Sequence, residues 1–252
     1  MKRRRGPMTL EARGLSRRFG GLLAVADVSL RLRPGVPHAV IGPNGAGKST
    51  LINLLGGAIR ADSGAILLNG ADVTAAPDWR RARAGIGRSF QRANLFPDLS
   101  VLENARLAAQ ASLPGWRLTA LAKEESGTWD QAWAALDRTG LTGFAAHPAA
   151  AISHGQRRLL EIAAVLAALP SVLLFDEPLA GLGPEETAPV VALLRDLAAT
   201  HALLLVEHDM DAVFAIAAEV TVMVDGGVLE TGTPEAIRTS AAVRDAYLGH
   251  RA

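Results

Sequence analysis

The chain has 252 residues with 49% hydrophobic content, enough to bury the core of one large α/β domain, which excludes a structureless polymer. Lys and Arg total 26 against 25 Asp and Glu, a formal charge of +1, so the chain lacks the broad positive field of a dedicated nucleic-acid binder. The absence of cysteine excludes disulfides, thiolate metal sites and Cys nucleophiles, and is compatible with a reducing compartment.

In chain order, Met1 to Arg5 is basic, and residues 1–7 are expected to be disordered. Polar Thr9, Glu11, Arg13 and Ser16 follow where a signal peptide requires an apolar run, so no export signal is expected. Ala24 to Leu32 and Val36 to Ile41 read as strands, the second ending in a Gly-rich turn that opens a helix over Lys48 to Leu55. Gly64 to Asn69 reads as a strand closed by Gly70, and Asp78 to Arg83 as a polar, basic surface segment. Leu102 to Ala151 has helical spacing broken near Pro114-Gly115 and Gly140, as in an inserted helical lobe. Strands are expected again at Val172 to Phe175, Leu203 to Val206 and Val220 to Val224, with helices between them as in a parallel sheet. Asp225-Gly226-Gly227 predicts a hairpin turn, and Thr233-Pro234 the N-cap of one short helix running toward Tyr247. The longest apolar stretches, such as Ile162 to Leu169, fall short of the roughly 20 residues that span a bilayer.

The chemistry-bearing residues begin with Gly42-Pro43-Asn44-Gly45-Ala46-Gly47-Lys48-Ser49-Thr50, a phosphate loop between a strand and a helix. Its glycines let backbone N–H groups wrap phosphates, Lys48 reaches the β and γ phosphates, and the Ser49 hydroxyl suits Mg²⁺. Val172 to Glu177 is a buried strand ending in two acids at the sheet's carboxyl edge, where α/β proteins bind ligands. Asp176 suits a metal ion, usually through water, and Glu177 suits a base that polarises water. No Asn-Lys-x-Asp guanine reader occurs, which argues against a GTPase.

Ile152-Ser153-His154-Gly155-Gln156 then resembles the signature of ATP-binding cassette (ABC) ATPases, in which His154 replaces a glycine; read alone, it is equally a helix N-cap at Ser153. The remaining matches rest on that resemblance. Gln91, in Arg-Ser-Phe-Gln-Arg-Ala-Asn-Leu-Phe, is similar to the Q-loop glutamine that senses metal and attacking water, and His208 to the switch histidine at the γ-phosphate. Phe19, taken as lying before the first strand, matches the adenine-stacking aromatic, with core packing as the other reading. Ala180-Gly-Leu-Gly183 resembles the D-loop, with Gly183 where the family usually has Asp.

The resemblance covers about Leu10 to Gly249 and narrows to ATPase subunits of branched-chain amino acid importers through Phe19-Gly20-Gly21-Leu22, Glu207 to Met210, Gly232 to Glu235 and Ala246 to Gly249. It implies an α/β P-loop NTPase (RecA-like) core with a mostly parallel sheet, an antiparallel β portion and a helical subdomain at about 92–160, all within one domain at 8–252. It further implies ATP and Mg²⁺ as ligands, a second ATPase subunit as homo- or hetero-dimer partner, transmembrane permease subunits, and an indirect extracytoplasmic solute-binding protein. The chain would sit peripherally on the cytoplasmic face of the membrane, with no nucleic-acid partner. Importers of urea and short amides, lipopolysaccharide-type exporters and soluble DNA-associated ABC ATPases share this motor. For the last, the basic residues Arg80, Arg81, Arg83, Arg88 and Arg92 could touch phosphates, and a solvated face or partner contact is the plainer reading.

Overall fold

The computed structural model describes residues 8–89, 95–110 and 126–249. Gln91, Arg92 and the Pro114-Gly115 break therefore lie outside the described residues.

The chain opens with a hairpin that the sequence pattern hides. Strand β1 (Leu10–Phe19) pairs antiparallel with β2 (Leu22–Leu32) and, on its other edge, with β4 (Ser63–Leu68), which pairs β5 (Ala71–Asp72). Leu10, Ala12 and Leu15 point inward, but register shifts after Ala12 and Leu15 break the strict alternation. Phe19 thus ends the first strand instead of preceding it.

The second sheet has the order β10-β9-β3-β8-β7-β6, with β3 (His38–Ile41), β6 (Ile86–Arg88), β7 (Val172–Asp176), β8 (Ala202–Val206) and β9 (Glu219–Val224) parallel. Only β10 (Gly227–Gly232) runs antiparallel, joined to β9 through the expected turn. Continuous apolar runs follow from coverage on both faces. Val172 and Leu174 face a core shared with the antiparallel sheet and helix α1 (Lys48–Gly56), while Leu173 and Phe175 face a core shared with the helices of the opposite layer. The latter layer includes α3 (Val101–Gln110), α4 (Ser126–Arg138), α5 (His154–Ala167) and α6 (Pro184–Ala198), the first three packed on one another. Helix α5 runs past residue 160, with Leu160 and Ile162 in that core.

Two further expectations are corrected. Asp78–Ala84 is helix α2, and Arg81 within it is 1% exposed. Its guanidinium donates to the carbonyls of Leu54 (2.6 Å), Leu55 (2.8 Å), Thr74 (2.8 Å) and Ala76 (2.9 Å), so it caps the C-terminal end of α1. After α7 (Met210–Ile216), the closing segment is two helices, α8 (Pro234–Thr239) and α9 (Ala241–Gly249), because Ser240 takes an extended ψ of 125°. Ile237 and Val243 from these helices pack on Ile41, Val220 and Val222.

Candidate nucleotide site

Parallel strands β3, β8 and β7 deliver three segments to one edge of the sheet: the phosphate loop after Ile41, Glu207-His208 after Val206, and Asp176-Glu177. The loop's path depends on glycine at two points. Gly47 has φ +95°, and a Cβ there would lie 2.1 Å from the Ala24 carbonyl oxygen; at Gly42 a Cβ would lie 2.1 Å from that of Met223. Lys48, the first residue of α1, is buried and donates to the carbonyls of Gly42 at 2.6 Å and Pro43 at 2.9 Å. Burial pushes its pKa down, while the nearby Glu177 and Asp176 carboxylates oppose that shift. Asn44, Gly45 and Ser49 are exposed around it, and Ala46 is buried beneath the loop.

Asp176 is 2% exposed. Desolvation pushes its pKa up, with Glu177 adding to that and Arg88 and Lys48 pulling it back. The β6–β7 register pairs Arg88 with Leu174, one inward position before Asp176, so Arg88 leaves the supposed surface cluster and joins the acid edge. The next residue, Ser89, accepts the Asp176 amide on its Oγ at 3.2 Å. Glu177 has φ +49°, its amide donating to the Val206 carbonyl at 2.8 Å. Its carboxylate lies 3.8 Å from His208 Nδ1.

The residues fit a divalent ion bound together with phosphates. Asp176 Oδ1 is buried without a hydrogen-bond partner among the described residues, an expensive state that a cation or its water would relieve. Among the described residues no cluster of three His, Cys, Asp or Glu could hold a metal ion by itself.

Glu207 is a functional neighbour that the sequence reading missed. It is 1% exposed and accepts the amides of Leu179 at 2.8 Å and His208 at 3.2 Å, so it fixes both loops that flank Glu177. Burial pushes its pKa up against those two amides. Its signals were its place at the end of an apolar strand and in the Glu207 to Met210 run, neither of which gave it a role.

At the N-terminus of α5, Ser153 Oγ accepts the Gln156 amide at 3.2 Å while Gln156 Oε1 accepts the Ser153 amide at 2.9 Å. This is a capping box, so the signature residues are an N-cap whatever else they do. The Gly155 amide donates to Glu186 Oε1 at 3.0 Å, and His154 is exposed. Arg158, buried in the same helix, donates to the carbonyls of Glu177 and of Pro178, the latter at 2.7 Å, tying α5 to the acid edge. None of the hydrogen bonds made by Ser153, Gly155 or Gln156 among the described residues reaches the phosphate loop of the same chain. Gly183, extended at φ −74°, is the N-cap of α6. Phe19 is 46% exposed, which sets aside core packing, with the Arg17 guanidinium 4.9 Å from its ring centroid. Tyr247 of α9 is half-buried; burial pushes its phenol up, with the Gly42 amide opposing that shift.

A family model described as ABC transporter matches residues 25–180, and one described as branched-chain amino acid ATP-binding cassette transporter matches residues 228–252. The chain is 39% identical over 248 residues to a high-affinity branched-chain amino acid transport ATP-binding protein of Pseudomonas aeruginosa, covering 95% of this chain and 97% of the relative. The corresponding Escherichia coli protein is 40% identical with the same coverage. Among solved structures, a nucleotide-free ATP-binding cassette from an ABC transporter superposes with a TM-score of 0.86 at 27% identity, covering 95% of this chain and 98% of that one. A phosphate loop, a paired-acid strand end and a capped signature helix on the cassette fold, with relatives matched over nearly their whole length, show that the chain belongs to the ABC transporter family of ATPases, in the branched-chain amino acid ATP-binding branch.

Proposed function

We propose that the chain is the motor subunit of an importer for branched-chain or related amino acids, hydrolysing ATP to drive separate permease subunits. The observation that carries the ATPase chemistry is the convergence of Lys48, Asp176, Glu177 and His208 at the carboxyl ends of three adjacent parallel strands. The importer assignment rests on the relatives' amino acid transport role and on the matched C-terminal segment.

In this reading the glycine-rich backbone and Lys48 hold the phosphates, with Lys48 exchanging its two loop carbonyls for phosphate oxygens. Ser49, Gln91 and Asp176 would hold Mg²⁺, which supplies charge neutralisation across the β and γ phosphates. Glu177 takes the proton of the water that attacks the γ-phosphorus as the bond to the ADP oxygen breaks. His208, beside it, contacts the γ-phosphate, and Phe19 offers its open face to the base. Ser153, Gly155 and Gln156 would cap the nucleotide of a second ATPase subunit, homo- or heteromeric, in a head-to-tail sandwich. Closure draws its energy from higher ATP affinity in the closed state. The helical lobe, at about 92–160, passes the motion to the permease on the cytoplasmic face, and a solute-binding protein engages only indirectly. Among the described residues no helix is long and apolar enough to cross a membrane, so the span is assigned to the permease.

ATP turnover and ATP-driven association of the purified chain test the motor. Lys48→Ala and Glu177→Gln should each lose turnover by about 100-fold or more, with Glu177→Gln trapping an ATP-bound dimer. Normal turnover in Glu177→Gln removes it as base. Uptake of labelled leucine by cells carrying the chain and its permease should fall to background with Lys48→Ala; unchanged uptake sinks the importer assignment.

A further inference from the structure

The signature helix is not free to receive a phosphate as it stands. Of the first three amides of α5, that of Gln156 is taken by Ser153 Oγ and that of Gly155 by Glu186 Oε1 at 3.0 Å. Glu186 belongs to another helix, α6, at whose N-cap its Oε2 accepts the Gly183 amide at 3.3 Å. One carboxylate thus bridges the N-termini of two helices, both of which favour an anion. The fit is close: a Cβ built on Gly155 would lie 2.6 Å from Glu186 Oε1, and Gly155 is buried under that side chain. The same two segments also lie close at Gly181, φ +76°, where an added Cβ would lie 3.2 Å from the His154 ring. The signature loop and the D-loop are therefore held as one unit through Glu186.

We propose that Glu186 is a positioning residue of the ATP sandwich: its carboxylate occupies the Gly155 amide in place of the opposing subunit's γ-phosphate and must yield it for the pair to close. This rests on the sandwich reading above. The chemistry is an exchange of one anion for another on the same backbone donor. A terminal phosphate oxygen has more charge and reaches Gly155 only when nucleotide fills the partner's phosphate loop. With ADP there, no γ-phosphate competes, and Glu186 keeps the amide. The latch therefore makes the signature selective for a nucleoside triphosphate over a diphosphate. It also transmits the exchange to Gly183, because the carboxylate that leaves Gly155 is the one that caps α6.

The test compares ATP-driven association of the full chain in a Glu177→Gln background with and without Glu186→Ala, alongside ATP affinity of the monomer. A competent fraction of about one tenth in the latched state predicts that Glu186→Ala lowers the ATP concentration for half-association about tenfold. Monomer ATP affinity should stay the same, and ADP should begin to support weak association. Glu186→Gln keeps the side-chain length and one acceptor oxygen, and should fall between the two, which separates the latch from simple loss of the α6 cap. Half-association that is unchanged or shifted to higher ATP in both Glu186 variants overturns the latch. Absence of association in the Glu177→Gln parent overturns the sandwich reading, and the latch with it.

Discussion

Glu207 accepts the Leu179 amide at 2.8 Å, joining the loop after Asp176-Glu177 to the strand end that carries His208. Because the same carboxylate also accepts the His208 amide, one buried group sets the spacing between Glu177 and His208. Glu207→Ala leaves two amides without their acceptor and should cost about 2–4 kcal/mol, against about 1 kcal/mol for Glu207→Gln, by denaturant unfolding. Turnover should fall about tenfold or more in Glu207→Ala through misplacement of its neighbours. A variant with native stability and native turnover would show that Glu207 positions nothing.

The phosphate loop offers a contrast between two glycines of similar conformation. Gly45, at φ +83°, has open space where a Cβ would go, whereas Gly47, at φ +95°, has the Ala24 carbonyl oxygen 2.1 Å from that position. Gly45→Ala should cost only backbone strain, about 1–2 kcal/mol. Gly47→Ala requires the loop itself to move, and should abolish ATP binding in titration calorimetry. Equal ATP affinity in the two variants would contradict this account.

Arg81 should be irreplaceable by lysine. Its guanidinium serves four carbonyls, two of them at the end of the helix that begins with Lys48, and an ammonium lacks the fork to reach them. Arg81→Lys and Arg81→Met are each expected to lose about 3 kcal/mol or more. Thermal unfolding of Arg81→Lys at the wild-type temperature would refute the capping role.

The central strand contains a buried histidine with a pH signature. His38 Nε2 lies 2.8 Å from Thr221 Oγ1, its Nδ1 3.3 Å from Glu219 Oε2. Burial pushes the His38 pKa down, with Glu219 opposing and Arg33 reinforcing. The unfolded imidazole takes a proton near about pH 6.5, while the folded one takes it only at lower pH, so native stability is whole above that range and declines as pH falls through it. The slope contributed is at most ~1.4 kcal/mol per pH unit. Denaturation between about pH 7.5 and about pH 5.5 should show that decline in the wild type and a flatter one in His38→Gln. Parallel curves would assign the pH dependence to other groups.

The amino-acid sequence by itself determined the phosphate loop, the Asp176-Glu177 strand end and the alternation of strand and helix, because each is a contiguous run whose meaning depends on its immediate neighbours. It also carried the family resemblance, down to the C-terminal Ala246-Tyr-Leu-Gly249. It did not reveal β1, whose alternation is broken by register shifts, nor the split of the closing helix at Ser240. The burial of Arg81 and the move of Arg88 to the acid edge were equally hidden, since a basic run looks the same whether its members face water or carbonyls. Only the tertiary structure decided those, along with the Glu207 and Glu186 bridges. Gly155 and Glu186 are separated in sequence by a helix and the whole of β7, and what brings their polar atoms to 3.0 Å is the packing of α5 into the core that holds Leu160, Ile162 and Phe175, together with Arg158 on the Glu177 and Pro178 carbonyls. Contacts of that range arise from burial of apolar faces that share no local pattern, so the physical reason for the signature's present state lies in the assembled core.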